Sequence, residues 1–436
     1  MGTHSAVVEG GGAEGGGAEG GEVVDGGAGQ GSGVFWRYWT GSTISSLGSA
    51  VTTVALPLTA VTVVHASTFA VAAITAAGQL PWLVLGLPAG VLVARLPLRE
   101  TQVAMDLIRG LAIASIPVLA WVGALTVAQL AAVAGIVGVA AVIFDVGNST
   151  LIPAIVPIDE LTRRNSLSSA SHAATQFAGP GLGGTLVQLL GAATCMLTDA
   201  VSYVVSAVFL YSLPRPRSLE ASAAGEGLRR EIAEGCGFVA RHPVIRPCVL
   251  WATAVNFVCG ALMALTPLYL VRSLHARPLV VGLVYAAEGA GALVGATITP
   301  RLEQRVGSAR AMLLAAAIMP LTVVLMPTAF PGWGITLYAL GNLAFAGAVV
   351  IGSILARTHR HQVVPRELLP RVMATVRFIS WGAIPLGAFL AGALGTTLGI
   401  RGALFVTAGL ILLAPAVMWA SPELRRRRNL SDPRVQ

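Results

Sequence analysis

Apolar stretches of about 20 residues recur along the chain from Phe35 to Ala420, and the charged residues fall almost entirely in the gaps between them. A helix of about that length spans the hydrocarbon core of a bilayer, where no water is available to unpaired backbone groups. Mean hydropathy is +0.76. Charged residues make up 11% of the chain, against about 25% in a soluble domain. The sequence is that of an integral membrane protein, and the expected fold is all-α.

Hydropathy divides the chain into twelve expected spans, at roughly 37–64, 68–93, 102–122, 126–146, 168–189, 192–212, 247–270, 279–299, 309–328, 333–356, 372–395 and 400–420. The expected organisation is a tail over 1–34, a six-helix half over 35–212, a connecting segment over 213–246, a second six-helix half over 247–420 and a basic tail over 421–436. There is no lysine, so all 28 basic residues are arginines. With both termini in the cytoplasm, only Arg272, Arg277 and Arg401 lie outside, as the positive-inside rule requires. The formal charge of +8 thus follows from topology, and no soluble basic patch is present that would hold nucleic acid. Arginine in place of lysine, with abundant alanine and glycine, points to a GC-rich bacterial genome and so to a bacterial plasma membrane.

The first 34 residues interleave glycine with Glu9, Glu14, Glu19, Glu22 and Asp25. They bury too little apolar surface to offset the entropy of ordering, so a disordered tail is expected, with an acidic tether against the basic cytoplasmic face as the alternative. The tail lacks the basic and apolar regions of a signal peptide. Cys195, Cys236, Cys248 and Cys259 show no C-x-x-C spacing, and neither a disulfide nor a metal site is expected. No P-loop, H-E-x-x-H or G-x-S-x-G occurs, so no enzyme activity and no cofactor is expected.

A faint internal repeat is present. Val156-Pro157 and Glu160-Leu161 precede a span containing Gly179-Pro180; Val364-Pro365 and Glu367-Leu368 precede one containing Ile384-Pro385. Copies half a chain apart fit two six-helix halves related as a parallel repeat, an arrangement of secondary transporters. Between the halves, the amphipathic stretch Leu228–Val239 is expected to lie along the membrane surface and tie them together.

Four stretches then carry a resemblance. They are Ser46-Leu47-Gly48 with Ala55-Leu56-Pro57-Leu58; Leu87-Pro88-Ala89-Gly90 through Arg95 and Arg99 to Asp106 and Arg109; Phe144-Asp145 through Asn165 and Gly179-Pro180 to Asp199-Ala200; and Gln362 through Arg371, Arg377 and Trp381 to Pro385. On these residues the chain resembles the major facilitator superfamily, in particular its twelve-helix drug, macrolide and siderophore exporter branch. The resemblance implies two halves rocking about a central cavity by alternating access, with a small amphipathic organic substrate carried outward against protons. A monomer in the bilayer is expected.

Gly90 to Arg95 resembles the superfamily's cytoplasmic gating loop, although Ala94 stands where that pattern has aspartate. The gate is assigned to Gly90, Arg95, Arg99, Asp106, Arg109 and Asp145; for Arg95 and Arg99 the alternative is that of ordinary basic anchors. Gly179-Pro180-x-x-Gly183-Gly184 resembles the antiporter motif of exporters. Glycines four apart face one side of a helix and permit close packing, and the proline removes one backbone hydrogen bond.

A charge at the bilayer centre costs at least about 2.5–3.5 kcal/mol, which singles out Glu288 in the eighth span as the first proton-coupling candidate. Asp199 is the second, and for both the alternative is a fixed buried hydrogen bond. Gln176, Asn256 and Asn342 are candidates to line the substrate cavity, and Trp251 to stack on a substrate or pack in the core. An importer or uniporter on the same fold and a non-transporting receptor or scaffold are the rival functions.

Overall fold

The computed structural model describes residues 27–86, 88–157, 160–215, 228–365 and 367–430, which are helical with no strand among them. The first half comprises α1 (Gly27–Thr62), α2 (Thr68–Leu85), α3 (Ala89–Ala94), α4 (Leu98–Trp121), α5 (Val127–Ile155), α6 (Leu161–Leu190) and α7 (Met196–Tyr211). After α8 (Leu228–Arg241), the second half comprises α9 (Ile245–Leu268), extended by a π-turn over Tyr269–Ser273, α10 (Pro278–Val306), α11 (Ser308–Val324) and α12 (Ile335–Val363). It ends with α13 (Leu369–Trp381), α14 (Ala383–Thr397), α15 (Gly399–Leu410), α16 (Leu413–Ala420) and α17 (Pro422–Arg426). Residues 27–34, expected in the disordered tail, are helical and open α1; residues 1–26 lie outside the described residues.

Among the described residues, 9 helical segments are long and apolar enough to cross a membrane. The remaining expected spans correspond to α6, whose first half is rich in serine and arginine, and to the shorter apolar helices α7 and α11. Outward-facing leucines such as Leu111, Leu189 and Leu321 are exposed, as side chains that meet lipid would be.

The repeat is visible in the backbone. Val156 ends α5 and Val364 ends α12, both in extended conformation ahead of a proline, which disfavours the helical region for its predecessor. The copies then diverge. α6 runs unbroken through Pro180, whereas the helix containing Pro385 divides at Gly382.

One end of the bundle gathers the start of α1 with the ends of α5 and α7 around Phe35, Leu151 and Leu213. It also holds α8, whose Phe238 and Val239 pack on Ile245, Val249 and Val372 of α9 and α13. The C-terminal residues dock there too: Asn429 accepts from the Ser308 amide, and the Leu430 amide donates to Ser308 at 2.8 Å. This end is called the terminal face. Among its described side chains α8 packs on the second half, through Phe238 and Val239; Leu228 and Ile232 of the expected amphipathic face lie outside the described side chains.

The halves meet through α6 against α10 and α2 against α14. Glycine makes these contacts backbone-close. A Cβ on Gly289 would stand 2.8 Å from the Phe177 Cα, and one on Gly392 would stand 3.3 Å from the Phe69 Cα. Beside them Arg272 donates to the Ala66 carbonyl at 2.6 Å, closing the end remote from the terminal face. Toward the terminal face the first half of α6 loses this contact, and Asn165, Ser169 and His172 are exposed.

Candidate functional site

Between the halves lies a cavity of about 870 Å³, lined chiefly by the first half, with Met263 and Tyr285 reaching it from the second. On α1, Ser42, Ser46, Ser49 and Thr53 recur at three- and four-residue spacing and form one polar stripe along it. A hydroxyl in a helix can satisfy itself on its own backbone. Thr53 does so on the Ser49 carbonyl at 3.0 Å, and Ser49 on that of Ser45 at 2.9 Å. Trp39, Trp82 and Phe144 supply aromatic surface around this stripe.

Asp199, on the cavity wall, is fully buried and accepts hydrogen bonds from Thr52 and from Ser202, the latter at 3.1 Å. A Cβ at Gly48 would come 2.6 Å from the Asp199 Oδ1, so glycine admits α1 to this carboxylate. Nearby, Arg109 pairs with Asp106, and its guanidinium lies 4.1 Å from the Phe144 ring centroid and 4.7 Å from that of Tyr203. Asp106 is fully buried, and its Oδ2 has no hydrogen-bond partner among the described residues.

Asp106 and Arg109, expected in the gate, lie in this buried cluster. Asp106 lies eight residues beyond the start of α4 at Leu98, about 12 Å along the helix axis. Arginine is accommodated at that depth because a carboxylate and two ring faces surround it.

The other gate residues divide in two. Arg95 is exposed, and Gly90 has no atom within 4 Å of where a Cβ would stand, so it is not a close-packing glycine. Arg99 donates to the carbonyls of Tyr211 at 3.3 Å and Leu213 at 2.9 Å and pairs with Glu100 at 3.1 Å, bracing α4 on α7 within the first half. Asp145 alone reaches the other half. It pairs with Arg377 of α13 at 2.9 Å, and Arg377 lies over the rings of Trp82 and Trp381, at 4.2 and 4.5 Å from their centroids. Arg377 and Trp381 appear in the sequence as family-like residues without a role, and Trp82 carried no signal beyond hydrophobicity.

The antiporter-like motif forms a double joint. Gly179 meets Ala50, and a Cβ on Gly183 would stand 3.1 Å from the Val51 Cα, so both seat α6 on α1. Gly184 and Pro180 face Gly282 of α10 in the other half.

Glu288 is exposed, not buried. It lies one turn from cavity-lining Tyr285, between the side of α10 that meets α6 through Gly289 and the side that meets α12 through Gly291. That face is the bundle interior. The Asn342 amide donates to the Val284 carbonyl at 3.2 Å and approaches Glu288 at 3.5 Å. Of the four cavity candidates, Gln176 lines the cavity; Asn256, Asn342 and Trp251 lie outside its lining. Trp251 is buried in the second half against Gly352, where a Cβ would come 2.5 Å from the indole Cζ2. An aromatic residue in an apolar helix does not disclose which neighbour it meets.

Two helical halves joined on glycine around a central polar and aromatic cavity define a membrane transporter of the major facilitator class. The transmembrane secretion effector family matches residues 28–432, and the chain belongs to that family. The uncharacterized MFS-type transporter y4rN of Sinorhizobium fredii is 29% identical over 307 residues, spanning 68% of this chain and 71% of that protein. The multidrug efflux pump Tap of Mycolicibacterium fortuitum is 27% identical over 369 residues, spanning 82% of this chain and 88% of its own. Among solved structures, the nucleoside transporter NupG shares the fold with a TM-score of 0.69 at 11% identity, covering 90% of this chain and 99% of that one. These relatives are transporters, not enzymes, and with its several apolar helices this chain is a multi-pass membrane protein.

Proposed function

We propose that the protein is a twelve-span secondary exporter of the bacterial cell membrane that moves amphipathic organic molecules outward by proton antiport. The observation that carries this reading is the cavity. Its volume of about 870 Å³ suits a drug-sized molecule, for which pockets of about 300–1,000 Å³ are usual. A hydroxyl stripe opposite aromatic rings suits a molecule with both polar and apolar surface. In this reading α6, α7 and α11 complete the twelve spans, and the arginine-rich terminal face is cytoplasmic. The backbone-close contact on the opposite face supports an inward-open state that loads from the cytoplasm.

Glu288 is the first proton carrier and Asp199 the second, because both are carboxylates within the helical bundle next to the cavity. The efflux activity named for Tap supports outward transport. Export would proceed by exchanging the closed face, rocking one half on the other across α6–α10 and α2–α14.

The test is drug accumulation in efflux-deficient bacteria expressing wild type or Glu288→Gln at equal level, with and without an uncoupler. Lower accumulation with wild type, abolished by the uncoupler and by Glu288→Gln, is expected. Accumulation that rises on expression would favour uptake on the same fold. Binding without flux would favour a receptor.

A further inference from the structure

The cavity wall carries two carboxylates, Asp145 and Asp199, and one arginine, Arg109. Asp199 is fully buried and already accepts from Thr52 and Ser202, and Arg109 is paired with Asp106. Of the two wall carboxylates Asp145 is therefore the one open to a solute, and its side chain is 55% exposed. Its partner Arg377 comes from the opposite half, is itself 40% exposed, and has an Nε with no hydrogen-bond partner among the described residues.

The surroundings of that guanidinium are two tryptophan rings and a carboxylate. Trp82 and Trp381 stand edge to face with ring centroids 5.1 Å apart, and the Arg377 Cζ lies over both. Aromatic faces attract a cation through the ring quadrupole, most strongly for tryptophan, and Asp145 adds a full negative charge at the side. Trp82 and Asp145 line the cavity, and Arg377 and Trp381 meet them from the opposite half.

We propose that Trp82, Trp381 and Asp145 form a binding site for the cationic group of a lipophilic organic monocation, and that Arg377 occupies it as an internal substitute until a solute displaces it. The proposal rests on the exporter reading for the use of the site, but binding itself is independent of transport direction. Displacement would also break the ion pair that joins the halves beside the cavity, so loading and release of that contact would be one event. The half-exposed pair is weakly held, which makes the exchange accessible to a solute.

The test is equilibrium dialysis of the full-length protein in detergent with tetraphenylphosphonium and, as a neutral counterpart, triphenylphosphine oxide. Arg377→Gln removes the competing charge and keeps the side-chain stem. It is expected to bind the cation about tenfold more tightly than wild type, the scale of one desolvated cation–π contact. Asp145→Asn is expected to bind it about tenfold more weakly, while the neutral probe changes by less than about twofold in either variant. If Arg377→Gln does not fold, Arg377→Lys, whose compact ammonium stacks less well, is expected to tighten cation binding by a smaller factor. Cation affinity that fails to rise on removing Arg377, or two probes that shift together, overturns the proposal. Vesicle flux of the neutral probe separates the two readings: flux with an unaltered cation affinity removes the box and keeps the transporter, whereas the predicted affinities without flux keep the box and remove the exporter.

Discussion

Gly184 of α6 and Gly282 of α10 stand backbone to backbone across the two halves: a Cβ on Gly184 would lie 2.9 Å from the Gly282 Cα, and one on Gly282 would lie 2.8 Å from the Gly184 Cα. The contact is reciprocal, so neither helix can yield by moving a side chain. Gly184→Val is expected to force the halves apart at the face remote from the termini. Overpacking of this kind costs about 1–3 kcal/mol. Thermal melting in detergent should fall and efflux should be lost, whereas Gly90→Ala, with open space around it, should melt at or slightly above wild type.

Arg109 and Asp106 form a buried pair whose two members should not be removed singly. Arg109→Met is expected to leave the Asp106 carboxylate buried and uncompensated, at a cost of about 3–5 kcal/mol. The double variant Asp106→Leu/Arg109→Met should recover much of that loss, because apolar replacement of a whole buried pair is often neutral. Melting temperatures of the two singles and the double check this. A double variant no more stable than Arg109→Met would show that the arginine acts through its aromatic neighbours Phe144 and Tyr203.

Gln176 and Trp251 should separate binding from stability. Gln176 lines the cavity and is exposed, so Gln176→Ala is expected to change the affinity for transported compounds several-fold with a melting shift near zero. Trp251 is 1% exposed in the second-half core. Trp251→Ala should cost about 3–5 kcal/mol and alter transport only through the amount of folded protein. Expression-normalised accumulation, alongside thermal melts, distinguishes the two.

The contrast between those residues also marks what could be read before any coordinates. Hydropathy places the apolar helices, and the Val-Pro repeat places the extended breaks after α5 and α12, because bilayer thickness and proline chemistry act locally on the chain. The polar stripe of α1 is also local, since its three- and four-residue spacing lies within one stretch of sequence. Asp145 and Arg377 meet only when the halves are assembled, and nothing near either residue specifies the other. The depth of Asp106 and Arg109 in α4 is legible too, by counting turns from Leu98. Gly90 is different, since a motif glycine need not be a packing glycine.

The packing of α8 gives a last expectation. A Cβ on Gly235 would stand 2.9 Å from the Arg371 carbonyl oxygen, and Glu234 pairs with the Arg371 side chain. α8 is thus seated on the start of α13, the helix that carries Arg377 to Trp82 and Asp145. Gly235→Leu should lift α8 from α13 and cost about 1–3 kcal/mol, the range for an inserted side chain without room. If α13 then shifts, Arg377 and Trp381 move together away from Trp82 and Asp145, and the loss of stability should come with weaker binding of tetraphenylphosphonium because the box is taken apart. A variant that melts lower yet binds the cation as wild type does would place α8 as a brace for the second half that leaves the Arg377 contact untouched. Measuring melt and affinity on the same preparation decides between them.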